Sequence, residues 1–181
     1  MNNTTFELFF AILSVATLLG TLIILVARLF YSSRSSAAGV IDAFSPLARP
    51  LAAAIATTCM LGSLYFSEVV NYVPCRLCWY QRIMMYPLAI ILIIASLRRD
   101  SKIGWYAVPL ATIGASISTY HWLLERFPNL DAGACDVQVP CELIWFEEFG
   151  FVTLPFMAFT GFFAIIVFTT LPKLSSAQEH Q

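Results

Sequence analysis

Five stretches of nearly uninterrupted apolar side chains, at 6–30, 47–66, 79–97, 103–124 and 151–171, alternate with short polar joints along this chain. Each approaches the ~20 residues that a helix needs to cross ~30 Å of hydrocarbon. Beta structure does not suit such segments, because an open sheet edge cannot face lipid. The pattern predicts an all-α membrane protein, built as a four-helix transmembrane bundle plus one extra N-terminal transmembrane helix. Residues 1–46 then form the first helix and a Ser-rich cytoplasmic linker, 47–171 the four-helix core, and 172–181 a cytoplasmic tail. Pro87 and Pro109 fall inside spans, where neighbouring helices or hydroxyls re-satisfy the freed carbonyls. Pro155 opens the last span, where its missing N–H costs little.

Composition sharpens this picture. Of 181 residues, 59% are hydrophobic and 12% charged, and the mean hydropathy is +0.78, far from the soluble average. Little chain is left for a separate soluble domain. No basic stripe points to nucleic acid. The start, Met-Asn-Asn-Thr-Thr, carries no Lys or Arg, and no small-x-small cleavage site follows the first block. That block therefore reads as a retained helix rather than a signal peptide.

Orientation follows from basic residues beside the spans. Arg28, Arg34, Arg49, Arg98, Arg99, Lys102 and Lys173 fall on one side, and Arg76, Arg82 and Arg126 on the other. The richer side should be cytoplasmic. The N-terminus then lies outside, the C-terminus inside, and both cysteine pairs, Cys75/Cys78 and Cys135/Cys141, face an oxidising compartment.

Pro74-Cys75-Arg76-Leu77-Cys78 reads as a helix start. Cys75 and Cys78 would share one face, with Arg82 four residues beyond Cys78. The helix N-terminus and the guanidinium both favour a thiolate, the species that attacks disulfides. Arg82 lies about one turn inside its span, where a buried arginine costs ~2.5–3.5 kcal/mol. It either snorkels to the headgroups or stabilises an anion formed during turnover. His121 falls at a similar depth near the end of the fourth block. Tyr72, Trp79, Tyr80, Tyr120, Trp122 and Trp145 crowd that level. Most suit an aromatic belt, and one or two can wall a flat ring-shaped ligand.

Cys135 and Cys141 enclose Asp-Val-Gln-Val-Pro, in a turn-rich segment with Pro128, Gly133 and Pro140. A disulfide there is within reach of another protein's thiolate; a structural staple or a zinc site with four cysteine ligands are the other readings. If both pairs are redox-active, electrons must leave to an acceptor. No haem, iron–sulfur or nucleotide motif is evident, so a lipid-soluble two-electron acceptor such as a quinone fits. Cys59, alone in its span, reads as a small apolar packing residue.

The stretch Pro74-Cys75-x-x-Cys78-Trp79-Tyr80-Gln81-Arg82, then Tyr120-His121, then the Cys135/Cys141 loop and Gly150-Phe151-Val152-Thr153-Leu154-Pro155 resembles the bacterial disulfide bond formation protein B (DsbB) family, most closely its short-loop BdbC-like branch. The resemblance covers about residues 47–171. It implies a membrane protein-thiol:quinone oxidoreductase of the cytoplasmic membrane, with ubiquinone or menaquinone as acceptor and an extracytoplasmic thioredoxin-fold, DsbA-like protein as partner. Carried over, Cys135 matches the cysteine attacked by the partner, and Cys141 its companion. Cys75 corresponds to the thiol in exchange with the loop, and Cys78 to the thiolate that engages the quinone. Arg82 and His121 match quinone-site residues. Better-known members space the second pair more widely, and the extra first helix has no counterpart in their core.

Two readings compete. A vitamin K epoxide reductase-like enzyme also uses two cysteine pairs in a bundle, but there the Cys-x-x-Cys lies late, whereas here it opens the core's second helix. A membrane scaffold with structural disulfides or zinc would need the cysteines only for folding.

Overall fold

Lipid offers the backbone no hydrogen-bond partner, so each apolar block closes its own bonds as a helix. The computed structural model describes residues 3–30, 41, 44–100, 102–131, 133, 135 and 139–171. Most of the expected linker 31–46 and the whole expected tail 172–181 lie outside the described residues. The described residues form five long helices: α1 Asn3–Leu29, α2 Ala48–Leu64, α3 Arg76–Arg98, α4 Gly104–Arg126 and α5 Leu154–Thr170. Among them the only β pairing is an isolated bridge between Glu148 and Val152. The all-helical expectation therefore holds.

Among the described residues, three segments are long and apolar enough to cross a membrane: Thr4–Leu29, Ala48–Val69 and Arg76–Arg98. Helix α5 is apolar but shorter, at 17 residues. Helix α4 matches α3 in length, yet Ser116, Ser118 and Thr119 dilute its apolar character. Their hydroxyls donate to the carbonyls of Thr112, Gly114 and Ala115, which removes most of the cost of placing them among helices.

Small residues set the packing distances. Ala48, Ala52, Ala53 and Ala56 bury one face of α2, and glycines let helices touch where a side chain would not fit. A Cβ on Gly114 of α4 would meet the Phe162 ring of α5 at 2.3 Å, and one on Gly161 would meet the Cys59 sulfur of α2 at 2.6 Å. Cys59 thus packs as an interior apolar residue, as expected. Leu88, Leu92, Phe162 and Ile165 fill the centre and are fully buried or nearly so.

Helix α2 ends in a π-helical turn, Tyr65–Val69, a feature the apolar pattern does not predict. Pro74 then precedes Cys75, the extended N-cap of α3. Helix α3 closes with Arg99 in the left-handed region, and the bonds Asp100 N to Ala95 O and Arg99 N to Ser96 O complete the stop.

Helix α1 does not stand off as an appendage. It buries Glu7, Ala11, Ser14, Thr21 and Ile24 while Phe9, Ile12, Leu19 and Ile23 point outward, the inverse of a water-facing helix. Arg28 Nη1 donates to Thr170 Oγ1 at 2.7 Å, and Arg49 Nη1 to the Arg99 carbonyl at 2.7 Å. These contacts gather Arg28, Arg49 and Arg99 at one end of the bundle. The two cysteine pairs occupy the other end, with the start of α3 and the finish of α4.

Since Phe162 is fully buried, Gly114→Ala should destabilise the bundle by roughly 1–3 kcal/mol. Gly20→Ala meets nothing within 4 Å and should be neutral or slightly stabilising. Thermal unfolding in detergent checks both, and equal melting temperatures for the two variants would contradict the packing described.

Candidate active site

The extended N-cap conformation of Cys75 turns its sulfur back over the first turn of α3, where it accepts the Cys78 backbone N–H at 3.3 Å. That turn brings the two sulfurs of the pair to 3.0 Å. Cys75 is buried, and Cys78 is half-buried.

The loop between α4 and α5 returns over the end of α4 and is tied down at several points. Tyr120 Oη donates to the Leu130 carbonyl at 3.2 Å, and Trp122 Nε1 to the Phe151 carbonyl at 3.1 Å. Thr153 Oγ1 donates to Glu125 Oε2 at 2.6 Å, and Arg126 pairs with Glu147. Within this loop Cys135 and Cys141 form a disulfide with a Cα–Cα separation of 5.7 Å. Cys141 is buried at 2% exposure and packs with Cys75, Leu77 and Leu124. Cys135 is only partly buried.

His121 joins the two pairs. Its Nε2 lies 3.0 Å from the Cys141 carbonyl and 3.6 Å from the Cys75 sulfur. A carbonyl only accepts, so Nε2 carries the hydrogen, and Nδ1 is then an acceptor for Gln81 Nε2 at 3.0 Å. The imidazole therefore presents a donor to the region between the cysteine pairs. The thiol of Cys78 and then His121 stabilise the anionic sulfur of Cys75 and lower its pKa to about 4, although burial opposes them. The helix-end contribution expected from the sequence is present as the Cys78 backbone N–H, but the neighbouring thiol and imidazole contribute more, and Arg82 is not among the groups that act on Cys75.

Beside this cluster, between α1, α2, α3 and α5, lies a cavity of about 330 Å³. That volume suits a small ring-bearing ligand. Cys78, Arg82, Tyr72 and Trp145 line it, whereas Cys75 and His121 are not among its lining residues. Tyr72 and Trp145 stack with centroids 4.8 Å apart, a flat panel of the kind anticipated from the aromatic crowding. Arg82 does not leave the site for the surface: Nη2 donates to the Ser63 carbonyl at 3.0 Å, and the guanidinium lies 5.3 Å over the Trp79 ring.

The structure thus brings Cys75, Cys78, Cys141 and His121 together, with Cys135 on their outer side and Arg82 on the cavity side. The ligand atoms of Cys75, Cys78 and His121 lie within 4.8 Å of one another, a spacing that a metal ion tolerates. However, His121 Nε2 is committed to a carbonyl, and the disulfide removes Cys135 and Cys141 as thiolate ligands. Gln81 was missed as a site residue, although its place three residues after Cys78 puts it on the same helix face. Glu7 was missed as well. It is 7% exposed and accepts the Tyr72 hydroxyl.

The family model described as disulfide bond formation protein DsbB matches residues 46–171. Disulfide bond formation protein C of Bacillus subtilis (strain 168) is 47% identical over 120 residues, which is 66% of this chain and 87% of that protein. A probable disulfide formation protein C of Halalkalibacterium halodurans is 49% identical over 117 residues, 64% of this chain and 85% of that protein. No solved structure matches the chain.

With its pKa near 4, reduced Cys75 should stay alkylatable by iodoacetamide from pH 8 down to about pH 5 and lose reactivity below its pKa. Because His121 helps to lower that pKa, His121→Ala should move the fall in rate to higher pH. Peptide mass spectrometry after timed quenching reads both profiles; identical profiles would remove the histidine's role.

Proposed function

The chain belongs to the disulfide bond formation protein DsbB family, and from that premise we propose that it is a thiol:quinone oxidoreductase that reoxidises an extracytoplasmic thioredoxin-fold dithiol protein. Membership itself makes it a membrane protein of disulfide bond formation. The observation that carries the finer reading is the division of the first pair. Cys75 packs against the disulfide loop, while Cys78 lines the cavity.

In this reading the partner's thiolate attacks the Cys135 sulfur, the accessible half of the disulfide, and Cys141 leaves as a thiolate. The partner's second thiol then releases Cys135 and closes the partner's own disulfide. Cys141 passes the two electrons to the oxidised Cys75–Cys78 pair by attack on Cys75, and Cys135 resolves the bridge so that the loop disulfide re-forms. His121 Nε2–H faces the sulfurs and stabilises the anion left at Cys75. The reduced pair finally closes again, giving two electrons and two protons to a quinone in the cavity. The sum is dithiol plus quinone to disulfide plus quinol, with no other oxidant.

The cavity fits a quinone ring through the Tyr72–Trp145 panel and the positive charge of Arg82. Polyprenylated quinones such as ubiquinone or menaquinone dissolve in the bilayer that surrounds it. The charge distribution supports cysteine pairs on the extracytoplasmic face of the cytoplasmic membrane, since Arg28, Arg49 and Arg99 gather at the opposite end. The N-terminus is then outside and the C-terminus inside.

Purified protein supplied with a reduced thioredoxin-fold dithiol should reduce quinone, and Cys78→Ser should not. Quinone reduction at the wild-type rate by Cys78→Ser would contradict the relay. Arg82→Ala should raise the quinone KM by one to two orders of magnitude, on the order of the ~1.5–3 kcal/mol of a charged contact. Dithiol binding should stay unchanged, and equal loss of both would reduce Arg82 to a folding role.

A further inference from the structure

Helix α1 precedes the stretch that matches the family, which begins at residue 46. Nevertheless Phe10, Leu13, Ser14 and Thr17 of α1 form one wall of the cavity that Cys78 and Arg82 line from α3. We propose that α1 is part of the acceptor-binding site, and that Glu7 is a positioning residue which fixes Tyr72 in the cavity wall. The inference rests on the reading of the cavity as a quinone site.

The argument begins with the placement of Glu7. An ionisable side chain in a spanning helix is costly unless it finds a partner, and such residues mark functional sites. Glu7 is 7% exposed, in the second turn of α1, and its carboxylate accepts the Tyr72 hydroxyl. Tyr72 is one half of the aromatic panel: its ring stacks on Trp145 at 4.8 Å and lies parallel to Phe66 at 5.9 Å. Tyr72 comes from the non-helical joint between α2 and α3, where its backbone N–H donates to the Phe66 carbonyl at 2.9 Å. That bond fixes the base of the side chain, and the carboxylate of Glu7 fixes its hydroxyl end and so the tilt of the ring in the cavity wall.

The rest of α1 is fastened accordingly. Thr160 Oγ1 of α5 donates to Ser14 Oγ at 3.4 Å, and Arg28 reaches Thr170 at the far end. Phe10 closes over Gly62 of α2 so tightly that a Cβ there would lie 3.0 Å from its ring. Phe6 adds a ring contact to Tyr65 at 4.6 Å. A simple membrane anchor needs apolar residues toward lipid. It does not need buried Glu7, Ser14 and Thr21 spaced seven apart along its inner face, where Ser14 meets Thr160 of α5. With this wall in place, a ligand that reaches Cys78 meets α1 side chains on one side of its ring, so α1 becomes a determinant of acceptor affinity.

The test uses the full-length protein in detergent with a reduced thioredoxin-fold dithiol, and ubiquinone-1 and menadione as acceptors. Glu7→Ala should raise the KM for both quinones roughly tenfold, the factor of one hydrogen bond to a charged group, with kcat at saturating quinone nearly unchanged. Glu7→Gln keeps an oxygen that accepts the Tyr72 hydroxyl and should restore KM to near the wild-type value. Adding Tyr72→Phe to Glu7→Ala should change KM little further, because both substitutions remove the same bond. Should Glu7→Ala lose its fold, seen as lost reaction of the Cys135–Cys141 disulfide with the dithiol, Phe10→Ala on the same wall replaces it and should likewise raise KM. Wild-type KM in whichever alanine variant folds, from a protein that still reduces quinone, would overturn the role of α1 and leave the relay standing. Wild-type protein that reduces neither quinone would remove the relay reading, and this inference with it.

Discussion

The contact on which the rest depends is the one that His121 makes between two separate parts of the chain. Its Nε2 serves the Cys141 carbonyl in the loop and the Cys75 sulfur at the start of α3, while Gln81 holds Nδ1. Tyr120, Trp122 and Arg126 hold the flanks of this loop, and the imidazole holds the disulfide itself over the start of α3. With the imidazole between them, Cys141 and Cys75 share one buried cluster. The tautomer matters as much as the position. Only with the hydrogen on Nε2 does the histidine face both sulfur-bearing segments as a donor, and Gln81 is what holds it so.

That contact divides the site into an entry and an exit. In the proposed relay the partly buried Cys135 is the side open to a large protein reagent, and Cys78, which lines the cavity, is the side open to a small apolar one. Cys141 and Cys75 lie buried between them. Charge is managed in the same way. The anion of a reduced pair settles on Cys75, beside the imidazole and the second thiol. The permanent cation, Arg82, is held at the cavity by the Ser63 carbonyl and Trp79. A driving difference of ~30 mV between dithiol and acceptor corresponds to ~1.4 kcal/mol for two electrons, so modest potentials suffice.

Much of this was legible in the residues. Helices follow from apolar blocks because lipid leaves the backbone no alternative; the two cysteine pairs stand out by their spacing in the joints between spans, and Arg82 because a buried arginine is expensive in a membrane. What the chain does not disclose is direction around a helix axis. His121 and Arg82 were both placed at one depth, yet His121 faces the loop cysteines and Arg82 the cavity. The π turn at Tyr65–Val69, which precedes the joint carrying Tyr72, has no signature in hydrophobic periodicity. Glu7 was passed over because a lone carboxylate near the end of a span resembles an interfacial residue. Its seven-residue spacing to Ser14 and Thr21 was the available sign that α1 has a polar inner face.

The central claim is that acceptor electrons come from the pair beside the cavity. Protein reduced at both pairs and freed of dithiol under anaerobic conditions, then given one equivalent of ubiquinone-1, should form one disulfide per quinone consumed, read by alkylation and mass spectrometry. The account predicts that a variant with Cys135→Ser and Cys141→Ser still closes Cys75–Cys78 at the wild-type rate. A variant with Cys75→Ser and Cys78→Ser should close nothing. Closure of Cys135–Cys141 by quinone in the second variant, or no closure in the first, would contradict it.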